Sequence, residues 1–198
     1  MRFPRYRFRP GQADALHLDL WLDGENLLRD AGSFSYNAED SAWFRGTAAH
    51  NTVQFDDRDQ MPRLGRFLFG AWLKAEDVAP VQSTGQSVRA AAGYTDYKGA
   101  RHRRDVTLCA NYLVCVDTLS GSFKTACLRW RLAPGDWVLS GNELRREGLA
   151  ISVRGDVGRI ALSLTYAPES RFYQDRKDIP VLEAHLDRPS RIETRVTF

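Results

Sequence analysis

The sequence predicts an all-β protein, an antiparallel β-sandwich of many short strands. Apolar and polar residues alternate with a period of two through most of the chain, which is typical of strands with one buried face. Turn-forming residues separate these runs, and no stretch shows the apolar spacing of an amphipathic helix of about 12 residues. Short strands at such intervals favour a sandwich over alternating helices and strands.

The predicted strands begin near the N-terminus. Leu16, Leu18 and Leu20 alternate with polar residues, and Asp23-Gly24 supplies a tight turn before the next run. Further strands are predicted at His50–Phe55, Phe67–Leu73, Ser87–Tyr94, Arg104–Leu108, Tyr112–Leu119, Cys127–Leu132, Leu149–Arg154, Arg159–Tyr166, Val181–Leu186 and Ile192–Phe198. Two turn-rich segments, 32–46 and 56–65, flank the His50 strand. Long loops beside a rigid sheet are where functional sites are usually built.

The composition indicates one domain over residues 1–198. The chain has 198 residues, of which 43% are hydrophobic and 27% charged, enough apolar material for a real core. The net charge is +3 with mixed signs, which gives no case for nucleic acid. The arginines and aromatics that alternate over residues 2–9 are interpreted as an edge strand. No apolar run reaches about 18 residues, so we expect no membrane partner.

Asp30 and His50 are the first candidates for chemistry. The carboxylate closes one strand-like run and the imidazole opens another, so the two groups can meet across a sheet face. Both are suitable ligands for zinc or a similar divalent ion, but a zinc site needs three or four ligands. Candidates for a third ligand are Gln12, Asp14, His17 and Asp19. The alternative is a hydrogen-bonded pair that pins two loops.

Other residues admit two interpretations each. Trp21 shares a polar strand face with His17 and Asp19, which suits a sugar-binding groove or an ordinary contact with a second sheet. His102 lies in a basic cluster that suits an acidic ligand, and surface solvation is the simpler expectation. Tyr36 is available as a general acid only with a pKa below its usual value of about 10. Phosphate-binding, dinucleotide and serine-hydrolase motifs are missing from the sequence.

Three sequence blocks resemble the heparinase II/III-like family, and specifically its C-terminal β-sandwich. They are Gly11-Gln12-Ala13-Asp14-Ala15-Leu16, Leu28-Arg29-Asp30-Ala31-Gly32-Ser33-Phe34-Ser35-Tyr36 and Arg45-Gly46-Thr47-Ala48-Ala49-His50-Asn51-Thr52-Val53. Their order and spacing are more specific than any block alone. The resemblance is strong over residues 10–73 and weaker beyond.

The resemblance implies a role in glycan cleavage. Complete members are polysaccharide lyases with an N-terminal helical toroid and this sandwich, and they cleave uronic-acid-containing glycans by β-elimination. It therefore implies an acidic polysaccharide and the toroid as partners, with a possible homodimer, and a periplasmic or secreted location. It also implies a zinc or other divalent ion. The site residues carried over are Asp30, His50 and Gln12 for metal, Asp14, Trp21, Arg45 and Asn51 for substrate, and His50 and Tyr36 as candidate catalytic groups.

The chain departs from the family in two respects. The first block of the family usually reads His-x-His-x-Asp, whereas Pro10 and Gln12 occupy the histidine positions here and Asp14 is kept. Proline can act neither as a base nor as a ligand, and an amide carbonyl is a poor zinc ligand. The toroid is also absent from this chain. We therefore expect the isolated chain to be inactive, and a non-catalytic glycan-binding or structural module is the alternative.

Overall fold

The computed structural model describes residues 1–156 and 160–198, and the sheets they form are antiparallel throughout. The strands are β1 (Leu20–Leu22), β2 (Glu25–Leu28), β3 (Val53–Phe55), β4 (Arg63–Gly65), β5 (Leu68–Phe69), β6 (Glu76–Thr84), β7 (Ser87–Thr95), β8 (Ala100–Cys109), β9 (Tyr112–Gly121), β10 (Ala126–Arg131), β11 (Val138–Ser140), β12 (Glu143–Arg146), β13 (Leu149–Gly155), β14 (Ala161–Glu169), β15 (Lys177–Leu186) and β16 (Ser190–Thr197). Two short 3₁₀ helices span Glu39–Arg45 and Thr47–Ala49. Within the described residues, no helix combines the length and apolar character that crossing a membrane requires.

Two sheets form the sandwich. The larger has eight strands in the order β11-β12-β13-β16-β9-β8-β7-β6, and the smaller has four in the order β14-β15-β10-β3. There are also two hairpins in the described chain, β1-β2 and β4-β5, and an isolated bridge between Leu28 and Leu132 joins β2 to the end of β10. The all-β class predicted from the alternation is confirmed, because the secondary structure of the described chain consists of antiparallel strands and two short 3₁₀ helices.

The core lies between the two sheets. Leu128 and Trp130 on β10 and Leu182 on β15 are buried in one cluster with residues of the larger sheet such as Cys115 and Ile192. The indole N–H of Trp130 donates to the Thr194 hydroxyl oxygen at 3.1 Å, so the largest side chain of the core leaves no unpaired donor. This packing fixes β10. Because β10 pairs with β3, it also fixes the start of β3, to which the preceding loops are attached.

Several predicted strands are shorter than their sequence patterns. The run that begins at His50 becomes a strand only at Val53, because the 3₁₀ turn Thr47–Ala49 ends at His50. The predicted strand at 67–73 is reduced to β5. The predicted strand at 159–166 starts outside the described residues, and its described part belongs to β14. The alternation at 2–9 forms no strand in the described chain.

His102 is not the solvated surface group that its basic neighbours suggested. It is fully buried on β8, with Nε2 2.6 Å from Asp117 Oδ1 on β9. Arg104 is equally buried and donates from Nε to the same oxygen at 2.7 Å and from Nη2 to Oδ2 at 3.1 Å. The alternation of β8 turns these two residues inward, so the expectation of surface solvation was wrong.

Candidate functional site

Asp30 follows β2 and is held by a tight local turn. Its Oδ1 accepts the backbone N–H of Gly32 at 2.7 Å. Gly32 has a φ of +78° and would place a Cβ 1.9 Å from the carbonyl oxygen of Ser170, so this position requires glycine. Gly32 and Ser170 form an isolated parallel bridge. The carboxylate is therefore positioned by a contact with the end of β14.

His50 meets this carboxylate from the third family-like block. It ends the turn Thr47–Ala49, whose Ala49 carbonyl accepts the N–H of Ala31 at 3.1 Å. The imidazole is fully buried, and its Nδ1 lies 3.1 Å from Asp30 Oδ2. The Nε2 atom is buried and has no hydrogen-bond partner. One ring nitrogen is thus fixed by the carboxylate, and the other is free.

His17 completes the cluster. Its Nε2 lies 3.9 Å from Asp30 Oδ2, and its ring packs edge-on against that of His50 with centroids 5.5 Å apart. One ligand atom each from His17, Asp30 and His50 lies within 4.8 Å of the other two. His17 was weighed from the sequence as a third ligand. Its predicted place on a regular strand is wrong, since the chain is irregular there.

The irregular backbone before His17 is held by the buried arginine. Leu16 has a φ of +61°, a left-handed conformation that is costly for a large side chain. Arg104 donates from Nη1 to the Leu16 carbonyl at 2.7 Å and to the Asn51 carbonyl at 2.6 Å. One guanidinium from the larger sheet therefore fixes the two segments that carry His17 and His50.

Burial and neighbouring groups determine the protonation of Asp30 and His17. Burial alone would raise the pKa of Asp30, but the neighbouring imidazole of His50 lowers it below its usual value. Burial lowers the pKa of His17. Arg2 forms an ion pair with Asp14, and its Nη2 lies 3.7 Å from Asp30 Oδ2. Asp30 is thus ionised and His17 neutral near pH 7, with a guanidinium at the edge of the cluster.

A surface cleft of about 320 Å³ opens beside Asp30. Its polar and aromatic lining includes Asp19, Trp21, Asn26, Asp30, Glu169 and Arg171. The Trp21 side chain is 60% exposed, as a sugar-stacking ring requires. A larger groove of about 750 Å³ at the 84–87 turn shares none of these residues. Trp21 and Asp30, which the sequence assigned to different roles, therefore face the same space.

Two other predicted substrate residues, Asn51 and Asp14, do not line this cleft. Asn51 is fully buried, and its amide bonds the backbone of Leu18, Arg29 and Arg131. Because these contacts occupy its side chain, we regard Asn51 as a residue that positions its neighbours. Asp14 is paired with Arg2. Gln12, which the resemblance assigned to the metal, has a buried Oε1 with no hydrogen-bond partner.

Tyr36 and Arg45 belong to an exposed aromatic patch that the sequence did not reveal. The Arg45 guanidinium lies 4.4 Å from the centre of the Phe67 ring, and Tyr36 is 60% exposed beside it. The Tyr173 hydroxyl accepts the N–H of Tyr36 at 3.3 Å. Hydrogen bonds with Ser35 and with that N–H lower the pKa of Tyr173. No local motif distinguishes Tyr173, which lies 137 residues from Tyr36.

The His17, Asp30 and His50 side chains fit a divalent ion in spacing and in chemistry. Two imidazoles and a carboxylate are suitable donors. His50 Nε2 is buried without a hydrogen-bond partner, whereas His17 Nε2 lies 3.2 Å from Asp19 Oδ2. Binding has two costs. The Asn51 N–H donates to His17 Nδ1 at 2.9 Å, so neutral His17 carries its proton on Nε2 and must release it to coordinate an ion. Arg2 also competes for Asp30.

The sequence and the structure both match known proteins. The family model "Heparinase II/III-like, C-terminal" matches residues 3–191. The heparin-sulfate lyase of Bacteroides stercoris is 30% identical over 134 residues, which are 63% of this chain and 18% of that protein. The solved heparinase III-BT4657 gene product superposes with a TM-score of 0.80 at 22% identity, covering 94% of this chain and 30% of that one. Heparan sulfate lyase HepC from Pedobacter heparinus gives 0.77 at 19%, again over 94% and 30%.

The structural likeness extends over nearly the whole sandwich, and the chain spans less than a third of these relatives. The family match covers both the cluster residues and the strands that hold them. The chain belongs to the heparinase II/III-like C-terminal domain family.

Proposed function

We propose that this chain forms one wall of the substrate cleft of a polysaccharide lyase-like protein that cleaves uronic-acid-containing glycans by β-elimination. The observation that carries the proposal is the convergence of His17, Asp30 and His50 beside a cleft that Trp21 lines. Support also comes from the family and from relatives that are lyases of heparin or heparan sulfate.

β-Elimination needs a base for the C5 proton beside the uronate carboxylate, an acid for the leaving oxygen and a positive charge for the enolate-like intermediate. In this chain His50 Nε2 is the candidate proton acceptor when the cluster holds no ion, because Asp30 fixes the other ring nitrogen. Tyr36 presents its hydroxyl at the surface, and Tyr173 beside it is a further acid candidate. Trp21 supplies a flat face for a sugar ring.

The opposite wall of the cleft comes from the helical toroid in this proposal. The cluster histidines are fully buried in the sandwich, and the neighbouring cleft is open on one side. The lining also carries several carboxylates, which repel an acidic glycan unless cations balance them. The isolated chain is therefore expected to be inactive and the complete protein active.

The test uses the complete protein, with sandwich and toroid, and a panel of acidic glycans that starts with heparan sulfate. Release of unsaturated uronate is followed by its ultraviolet absorbance. We expect His50→Ala and Tyr36→Phe each to lower the rate at least about a hundredfold, the usual contribution of an acid–base group. Tyr97→Phe, at another exposed tyrosine, is the matched control and should leave the rate unchanged. Full activity of both site variants would refute these assignments.

A non-catalytic glycan-binding or structural module is the second candidate. Pro10 and Gln12 at the family's histidine positions favour it, because they remove groups that the chemistry uses. Isothermal titration of the chain with acidic oligosaccharides separates the two parts of this alternative. Binding by the chain, with no product released by the complete protein, supports a binding module. No binding by the chain at about 1 mM, equivalent to roughly −4 kcal/mol, supports a structural role.

We also propose that Asp30, His50 and His17 hold a divalent ion, zinc by preference. When bound, the ion would supply positive charge for the substrate carboxylate and its enolate form. Metal analysis of protein purified without chelator tests the site. One equivalent of zinc more in the wild type than in Asp30→Ala would support it, and equal metal in both would refute it.

A further inference from the structure

A second group of metal-ligating side chains lies on the outer face of the smaller sheet. β10 and β15 are its two central strands, and they pair Cys127 with His185 and Arg129 with Glu183. Because side chains alternate along a strand, these four residues share one face. Ala126, Leu128 and Trp130, which alternate with them on β10, face the other way and pack into the core. The group therefore lies on two central strands whose opposite face is packed into the core.

The potential ligand atoms of this group lie close together. One ligand atom each from Cys127, Glu183 and His185 lies within 4.8 Å of the other two. His185 Nε2 is 3.4 Å from Glu183 Oε2. Arg129 donates from Nε to Glu183 Oε1 at 2.7 Å and from Nη1 to Gln54 Oε1 at 2.6 Å. The arginine thus fixes one carboxylate oxygen and leaves the other directed toward the imidazole.

We propose that Cys127, Glu183 and His185 form a second divalent metal site, suited to zinc or cobalt(II). A thiolate, an imidazole and a carboxylate are the donors that a borderline-soft ion selects. Three protein ligands leave a coordination position for water. Arg129 acts as a positioning residue, since it orients a ligand without contacting the ion. The site shares no residue with the cluster around Asp30 and does not depend on the glycan-cleaving role.

Exposure of the ligands is compatible with exchange of the ion. The His185 side chain is 49% exposed, whereas Cys127 is 5% exposed at the base of the group. Burial raises the pKa of the Cys127 thiol to about 12, so an incoming ion must displace the thiol proton to solvent. Cys109 and Cys115, the two other cysteines, belong to no such group in the described chain.

Cobalt(II) titration of the 198-residue chain tests the site. Cobalt bound to a thiolate gives a charge-transfer absorption in the near ultraviolet, which a site of imidazoles and carboxylates lacks. We expect this band to appear in the wild type and to disappear in Cys127→Ser. In His50→Ala, where the first cluster is disabled, it should saturate at one equivalent. His185→Ala should weaken the cobalt affinity at least about tenfold. Cys109→Ser is the matched control and should keep the band.

The band also separates this site from the first one. His50→Ala should leave the thiolate band intact. A band that is retained in this variant supports an independent site, whether or not the first cluster binds metal. A wild-type protein without the band at saturating cobalt overturns the proposal, as does a band that persists in Cys127→Ser. Circular dichroism in chelator checks that each variant is folded. If Cys127→Ser is unfolded, the half-exposed His185→Ala decides, and unchanged affinity there refutes the site.

Discussion

Replacing Asp117 with alanine should be among the most damaging single changes to this protein. Asp117 and Arg104 are both fully buried, and the carboxylate accepts two hydrogen bonds from the guanidinium and lies 2.6 Å from His102 Nε2. Its removal leaves a buried guanidinium without a counter-charge. Such a loss costs about 3–5 kcal/mol of unfolding free energy. At about 2–4 °C per kcal/mol for a domain of this size, the melting temperature should fall by roughly 6–20 °C.

Thermal unfolding followed by circular dichroism measures this effect, and Asp105→Ala is the matched control. Asp105 lies on β8, the strand that carries Arg104, and pairs with Arg103 at 2.8 Å, but its side chain is 45% exposed. An exposed pair is worth at most about 1 kcal/mol, so the control should shift melting by only a few degrees. Equal shifts in the two variants would refute the reasoning from burial.

Three further predictions concern the cluster and the pH response. Arg2→Gln should tighten zinc binding by about fivefold in a titration, since a unit charge about 4 Å from a ligand oxygen repels the ion by roughly 1 kcal/mol even in water; weaker binding would show that the arginine supports the site. Gly32→Ala should destabilise the protein by more than about 2 kcal/mol in denaturant, because its Cβ would lie 1.9 Å from a backbone carbonyl, whereas Gly11→Ala has open space and should be neutral. Burial lowers the pKa of His102 from 6.5, and Arg104 holds that of Asp117 below 3.8 against the opposing effect of burial. The unfolded chain then binds more protons, so stability should fall below about pH 6.5 and again below about pH 4, and an acid-insensitive melting temperature would contradict this.

The sequence predicted the fold through local rules. The Asp23-Gly24 pair forms the turn between β1 and β2, with φ values of +48° and +82°, as the residue types indicate. The alternation over Tyr112–Leu119 and Leu149–Arg154 reappears almost unchanged in β9 and β13. A period of two depends only on neighbouring residues, and burial of one face enforces it.

Contacts between distant residues could not be predicted in this way. The sequence suggested that Asp30 and His50 meet, and the structure places them 3.1 Å apart. It could not show that Asn51 donates to His17 or that Arg104 holds both of their segments, because tertiary contacts fix those positions. His102 was misread for the same reason, since a run of basic residues looks solvated until its strand is placed in a sheet.

The bridge between Gly32 and Ser170 has a consequence for synthesis of the protein. The three cluster residues belong to the first 50 positions, yet the carboxylate turn rests on a backbone 138 residues downstream. A chain emerging from the ribosome would carry His17, Asp30 and His50 long before the strand that shapes their site exists. Contacts between such distant segments form late in folding. Ligand binding at the cluster would therefore mark completion of the C-terminal strands and would serve as a reporter of folding for the whole sandwich.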